Sequence, residues 1–132
     1  MPTVKNEPKI SVSHSLFDQL QSAVNEQGQV VIHGSIKAEE ESVFIRIWPT
    51  TFLFDLHSTH KSHLVYFEKI SAFPAWTEVK ARSSLTFTLV FTGLPKTCRV
   101  FDLIEIIPQF NGFQVSGIRR NAQDVYFLDF DQ

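Results

Sequence analysis

His57, His60 and His63 fall at steps of three in Asp-Leu-His-Ser-Thr-His-Lys-Ser-His, and imidazoles at short spacing are what a transition-metal site needs. Secondary structure decides whether they converge. A helix would align all three, whereas a strand turns His60 away from the other two. In a hairpin with Ser58 to Ser62 as its loop, His57 and His63 face each other at about 5 Å between Cβ atoms. Two ligands with a nearby carboxylate would make a metal-dependent hydrolase; the simpler reading is a solvated hairpin tip with no metal. His14 and His33 lie too far along the chain to join the group.

The next candidates are carboxylates. Along Val-Phe-Asp-Leu-Ile-Glu-Ile-Ile, Asp102 projects to one face of a strand and Glu105 to the other, so the two cannot share a substrate as acid and base. An acid among apolar neighbours is rim-exposed or paired. Arg46, between Ile45 and Ile47, is the natural partner for Glu105, giving an ion pair that fixes strand register. Cys98, the only cysteine, shares a parity with Val100 and Ile104 and reads as a packed thiol. Trp48 beside Pro49 and Trp76 near Pro74 could stack on a sugar or a peptide, or could plug the end of the fold. No Gly-x-Ser-x-Gly elbow, phosphate loop or His-Glu-x-x-His helix is present, and Arg119-Arg120 is too short a patch to argue for nucleic acid.

These residues must be carried by strands. Leu85, Phe87, Leu89 and Phe91 alternate with Thr86, Thr88 and Val90, the rhythm of a strand with one buried face. Thr-Gly-Leu-Pro-Lys-Thr breaks the pattern, and a second apolar run from Cys98 to Ile107 predicts an antiparallel hairpin at the centre of the protein. Further strands are expected over 30–37, 43–48, 51–56, 64–70, 113–118 and 125–130, with 78–84 leading into the central hairpin. Phe52, Phe54 and Leu56 share one face, and Trp48-Pro49 interrupts the ladder where a strand could cross between sheets. Ahead of them, 1–12 reads as an extended arm. Leu16, Phe17, Leu20, Ala23 and Val24 fit an amphipathic helix over 15–27, with Ser15 as N-cap and Gly28 as its stop.

Composition narrows the function classes. Hydrophobic residues are 43% and charged residues 20%, which excludes disorder, and 13 phenylalanines predict a core filled by rings. A formal net charge of -2 gives no global attraction to nucleic acid or anionic lipid. A lone cysteine cannot close an internal disulfide. No signal-peptide core or membrane-length apolar run is visible, so the expectation is a soluble, cytoplasmic protein without membrane or nucleic-acid partners. An exported location stays open if a leader has been removed.

Phe87, Leu89, Phe91, Leu94 and Pro95, then Phe101, Asp102, Leu103 and Glu105, then Gly112-Phe113 and Gly117-Ile118, spell Phe-x-Leu-x-Phe-x-x-Leu-Pro, Phe-Asp-Leu-x-Glu, Gly-Phe and Gly-Ile. That pattern resembles uncharacterised immunoglobulin-like β-sandwich proteins of Bacteroidetes, over roughly the last hundred residues. The resemblance implies a sandwich and brings no activity, cofactor or catalytic residue.

The sequence thus predicts a single domain over 1–132, an antiparallel immunoglobulin-like β-sandwich of seven to eight strands with one N-terminal helix. The function expected is non-catalytic binding or assembly through loops or a sheet edge. Trp48 and Trp76 are the ligand candidates, for a protein or a carbohydrate, and a free edge or the helix could support a homodimer. The alternatives are the His57/His63 hydrolase and a structural subunit of a larger assembly.

Overall fold

The computed structural model describes residues 28–109 and 112–130. Its nine strands are β1 (Gln29–Lys37), β2 (Val43–Ile45), β3 (Thr51–Asp55), β4 (Lys61–Glu68), β5 (Thr77–Val79), β6 (Ser84–Thr92), β7 (Val100–Glu105), β8 (Gln114–Arg119) and β9 (Val125–Asp129). No helix occurs among the described residues, and the expected arm and helix over 1–12 and 15–27 lie outside them.

Seven strands form one sheet in the order β8-β7-β3-β4-β6-β1-β9, and β2 and β5 make a separate two-stranded ribbon. The immunoglobulin-like sandwich is therefore overturned: a sandwich divides its strands between two facing sheets, whereas here one continuous ladder curls into a nearly closed barrel. The sheet is also mixed, because β9 runs parallel to β1, with Val31 opposite Val125 and Ser35 opposite Asp129.

The predicted central hairpin is not made. β6 is flanked by β1 and β4, and β7 by β3 and β8. Between them Gly93 to Arg99 crosses the barrel end, with a turn closed by the Cys98 N–H on the Pro95 carbonyl at 3.0 Å. Both edges of β6 are already paired, so the chain continues to the far wall instead of turning back. Trp48-Pro49 does pass the chain from one sheet to another, since it separates β2 in the ribbon from β3 in the barrel.

The two-residue rhythm sets what lies inside. Val30, Ile32 and Ile36 of β1, Phe87, Leu89 and Phe91 of β6, Leu53 of β3 and Phe101 and Leu103 of β7 are all fully buried. Ile45, Ile47 and Val79 on the inner side of the ribbon belong to the same core and close one end of the barrel. On β3 the apolar signal is inverted. Thr51, Leu53 and Asp55 point in, while Phe52 and Phe54 are half-buried on the outside, where Phe52 meets the His63 ring at 5.5 Å and the Lys61 ammonium at 4.3 Å.

The end strands β8 and β9 share no ladder, so side chains fill the seam between them. Phe101 meets Tyr126 edge-on at 5.2 Å, Phe113 meets Phe130 at 5.1 Å, and Phe130 reaches Phe87 at 5.2 Å. Gly34 on β1 leaves room for these rings. A Cβ there would lie 2.6 Å from carbons of both Phe130 and Phe87. Gly34→Ala, which ordinarily improves a strand, is expected to destabilise the protein by about 1–3 kcal/mol through overpacking. The measurement is a lower urea midpoint with an unchanged m-value.

Candidate functional site

In β2, Ile45 faces the core, and the same alternation places Phe44, Arg46 and Trp48 on the outer side of the ribbon. β5 pairs with it antiparallel, Phe44 opposite Glu78 and Ile45 opposite Thr77, which brings Trp76 alongside Arg46. The turn from Ser71 to Trp76 then folds Phe73 onto Trp48, their rings stacked at 3.9 Å with planes 27° apart. This turn is tied down by the Ser71 N–H donating to the Thr77 hydroxyl at 2.8 Å and by the Phe73 N–H donating to the Ile47 carbonyl at 2.9 Å.

The Arg46 guanidinium sits 3.8 Å from the Trp76 ring centre, 4.6 Å from that of Phe73 and 5.7 Å from that of Trp48. Its Nη1 donates to the Pro74 carbonyl at 3.2 Å. Contact with several ring faces fixes the side chain's orientation and holds its charge beside apolar surface. Phe44, Phe73 and Trp76 remain 58%, 42% and 55% exposed, while Arg46 and Trp48 are half-buried between them. Trp48 and Trp76, singled out in the sequence, are thus brought to one surface. Phe44 and Phe73 complete it, and the aromatics flanking Pro74 were the available signal for the latter.

Arg46 and Glu105 form no ion pair. The Glu105 carboxylate is buried and accepts the Trp48 N–H at 2.9 Å on one oxygen and the Phe113 N–H at 3.0 Å on the other, with the Thr51 hydroxyl at 3.5 Å. Two backbone N–H groups that no strand satisfies take the place the guanidinium was expected to occupy. The effect is still to fix geometry, because Glu105 anchors both the strip at Trp48 and the segment leading into β8. Burial pushes its pKa above the usual glutamate range; the hydrogen bonds from Phe113, Trp48 and Thr51 and the charge of Arg46 offset this only in part. Gly112 lies against the same strand, with space for a Cβ blocked at 2.5 Å by the Glu105 carbonyl oxygen.

The histidines go to three different places. Phe52 pairs with His63 and Phe54 with Lys61, so the turn of the β3–β4 hairpin falls at Leu56 to His60, two residues earlier than expected, and His57 does not lie opposite His63. His63 is on the outer wall with Phe52. His60 turns toward Ser62 and the Gly93 carbonyl, at 2.9 and 3.1 Å. His57 stays exposed in the turn, its N–H donated to Asp55 at 2.8 Å. No group of three metal-ligating side chains occurs among the described residues.

Cys98 is buried, its thiol 3.6 Å from the Val100 carbonyl. Burial and the neighbouring Asp55 carboxylate push its pKa up to about 11, leaving the sulfur protonated and poorly nucleophilic at neutral pH. Asp102 accepts the Gly117 N–H at 2.8 Å on the outer side of β7, away from Glu105.

Compared with known proteins, the chain matches no family model, no curated protein and no solved structure. No helix among the described residues is long and apolar enough to cross a membrane.

Replacing Glu105 tests the anchor. Glu105→Gln exchanges one acceptor oxygen for an amide that cannot receive an N–H, at a cost of about 1–3 kcal/mol. A carboxyl whose folded-state pKa is raised adds stability at acid pH that is lost as pH rises through the folded value. The gap in thermal midpoint between wild type and Glu105→Gln should therefore shrink between about pH 4 and pH 7. A gap that widens with pH would mean that the hydrogen bonds outweigh burial.

Proposed function

We propose that this protein is a non-catalytic binding module that captures a protein segment on the Phe44–Arg46–Trp48–Phe73–Trp76 strip. The observation that carries the reading is Arg46, whose guanidinium is positioned by aromatic rings and has no carboxylate within ion-pair distance among the described residues. Tryptophan and arginine at the centre of an exposed apolar patch are the residues that most often dominate protein interfaces. A fixed cation between exposed rings selects an acidic side chain flanked by apolar ones. Such a partner would pair with Arg46 and cover Trp76 and Phe44 together. The catalytic alternative has weaker support, since the three histidines diverge and the one thiol stays protonated.

Selection of a randomised peptide library on the purified protein tests this. Peptides carrying Asp or Glu beside aromatic or branched residues should be enriched, and their binding should quench the intrinsic tryptophan fluorescence, because both tryptophans of the chain belong to the strip. Trp76→Ala and Arg46→Ala should each weaken binding at least about tenfold, the loss of a hot-spot residue. Peptides that bind these variants as well as wild type would overturn the reading. A glycan that binds through Trp76 and is indifferent to Arg46→Ala would replace the protein partner with a carbohydrate.

A further inference from the structure

The register of the barrel places Thr51 opposite Glu105 at one end and Asp55 opposite Phe101 at the other. The aromatic strip is tied to the first end through Glu105 and Trp48. At the second end the β3–β4 turn, the β6–β7 connection and the end of β8 surround a cleft of about 520 Å³ lined by His57, Lys96, Cys98, Arg99, Val100, Arg119 and Arg120. Every ionisable residue in that lining other than the buried thiol is a base. The chain as a whole carries a formal net charge of -2, so the accumulation is local.

Tertiary pairing assembles it. Val100 lies opposite Arg119, and the Arg120 N–H donates to the Arg99 carbonyl at 2.8 Å, so residues about twenty apart in sequence become neighbours. Leu56 donates its N–H to the Val100 carbonyl at 3.1 Å and holds the His57 turn against the same strand.

The four strong bases divide into a fixed one and three available ones. Arg120 is half-buried and clamps Asp124 with Nε at 2.6 Å and Nη2 at 2.9 Å, while Nη1 donates to the Pro95 and Cys98 carbonyls at 2.8 and 3.1 Å. It shapes the cleft, its charge balanced by Asp124. Lys96, Arg99 and Arg119 are exposed and have no ion-pair partner among the described residues. Two acids at this end of the barrel, Asp55 and Asp124, already have partners. Asp55 accepts from the Ser58 hydroxyl and the His57 N–H, and the Tyr126 hydroxyl shares Asp124 with Arg120.

We propose that this cleft is a binding site for a small diphosphate-bearing ligand, held by Lys96, Arg99 and Arg119 and shaped by Arg120. A single phosphate monoester brings about two negative charges, so two phosphate groups match three available cations better than one. Two guanidinium groups suit the bidentate geometry of phosphoryl oxygens, and the volume lies in the range of about 300–1,000 Å³ found for small-ligand sites. The Cys98 thiol at the floor is protonated at neutral pH and adds no charge of its own. The site is separate from the strip and stands or falls independently of the protein partner proposed for it.

Calorimetric titration with inorganic pyrophosphate, together with backbone amide shift mapping, tests the assignment. Saturable one-to-one binding is expected, with the shifts centred on Lys96, Arg99 and Arg119. Arg99→Ala combined with Arg119→Ala should weaken it at least about tenfold, and Lys96→Ala about threefold, as expected for loss of charge-assisted contacts. Arg82→Ala, an exposed arginine on the β5–β6 turn beside Glu40, should leave it unchanged. ADP binding more tightly than pyrophosphate would assign the site to a nucleotide, and equal affinities would assign recognition to the diphosphate alone. Absence of saturable binding, or equal loss in Arg82→Ala, would overturn the site.

Discussion

A sheet that nearly closes on itself must hold its two end strands together, and in this protein β8 and β9 do so without a ladder between them. Side chains span the gap. Phe113 and Phe130 pack on Phe87 at one end of the seam, and Phe101 meets Tyr126 at the other. The rest follows from this arrangement. Gly34 has to lack a side chain so that the rings can enter, and the turn between β8 and β9 has to be held by Arg120, Asp124, Asn121 and Tyr126. Asp124 adopts a left-handed backbone there (φ 58°), which Asn121 stabilises by accepting its N–H at 2.7 Å. In this setting the Tyr126 hydroxyl is pushed up to about 12, by burial first and by Asp124 second.

The two ends of the barrel solve the same problem with different groups. Where the ladder stops at Glu105, unpaired backbone N–H groups are satisfied by a carboxylate, which fixes Trp48 and thereby the outer strip. Where it stops at Asp55 and Arg120, backbone carbonyls of Pro95 and Cys98 are satisfied by a guanidinium, and the N–H of His57 by a carboxylate. Buried charges at a barrel rim are retained because they meet several backbone groups at once. One end consequently offers rings around a cation, and the other offers cations around a cleft.

Much of the secondary structure was legible. The strands expected over 30–37, 51–56, 113–118 and 125–130 match β1, β3, β8 and β9 to within a residue or two, and the inward set Phe87, Leu89 and Phe91 was read from alternation alone. The architecture was misread because alternation reports which side of a strand is apolar and not which strand lies beside it. β6 and β7 are neighbours in sequence and stand on separate parts of the wall, and the outward Phe52 and Phe54 imitate a core face while covering the outside of the barrel. Trp48 and Trp76 were singled out because large aromatics near proline are conspicuous, and both rings lie against Arg46. Arg46 was assigned to the wrong partner, because spacing cannot show that backbone N–H groups reach Glu105 first.

The sequence by itself determined that the described residues are built from strands, the breaks at Pro49, Gly93 and Pro95, and a ring-rich core, since these depend on local backbone preference and a period of two residues. Tertiary structure decided that one sheet curls into a barrel, that the histidines separate, and that Arg99, Arg119 and Lys96 meet around one cleft. Those outcomes depend on strand order and on which acids and backbone groups are already engaged, and both are set by contacts between residues far apart in the chain.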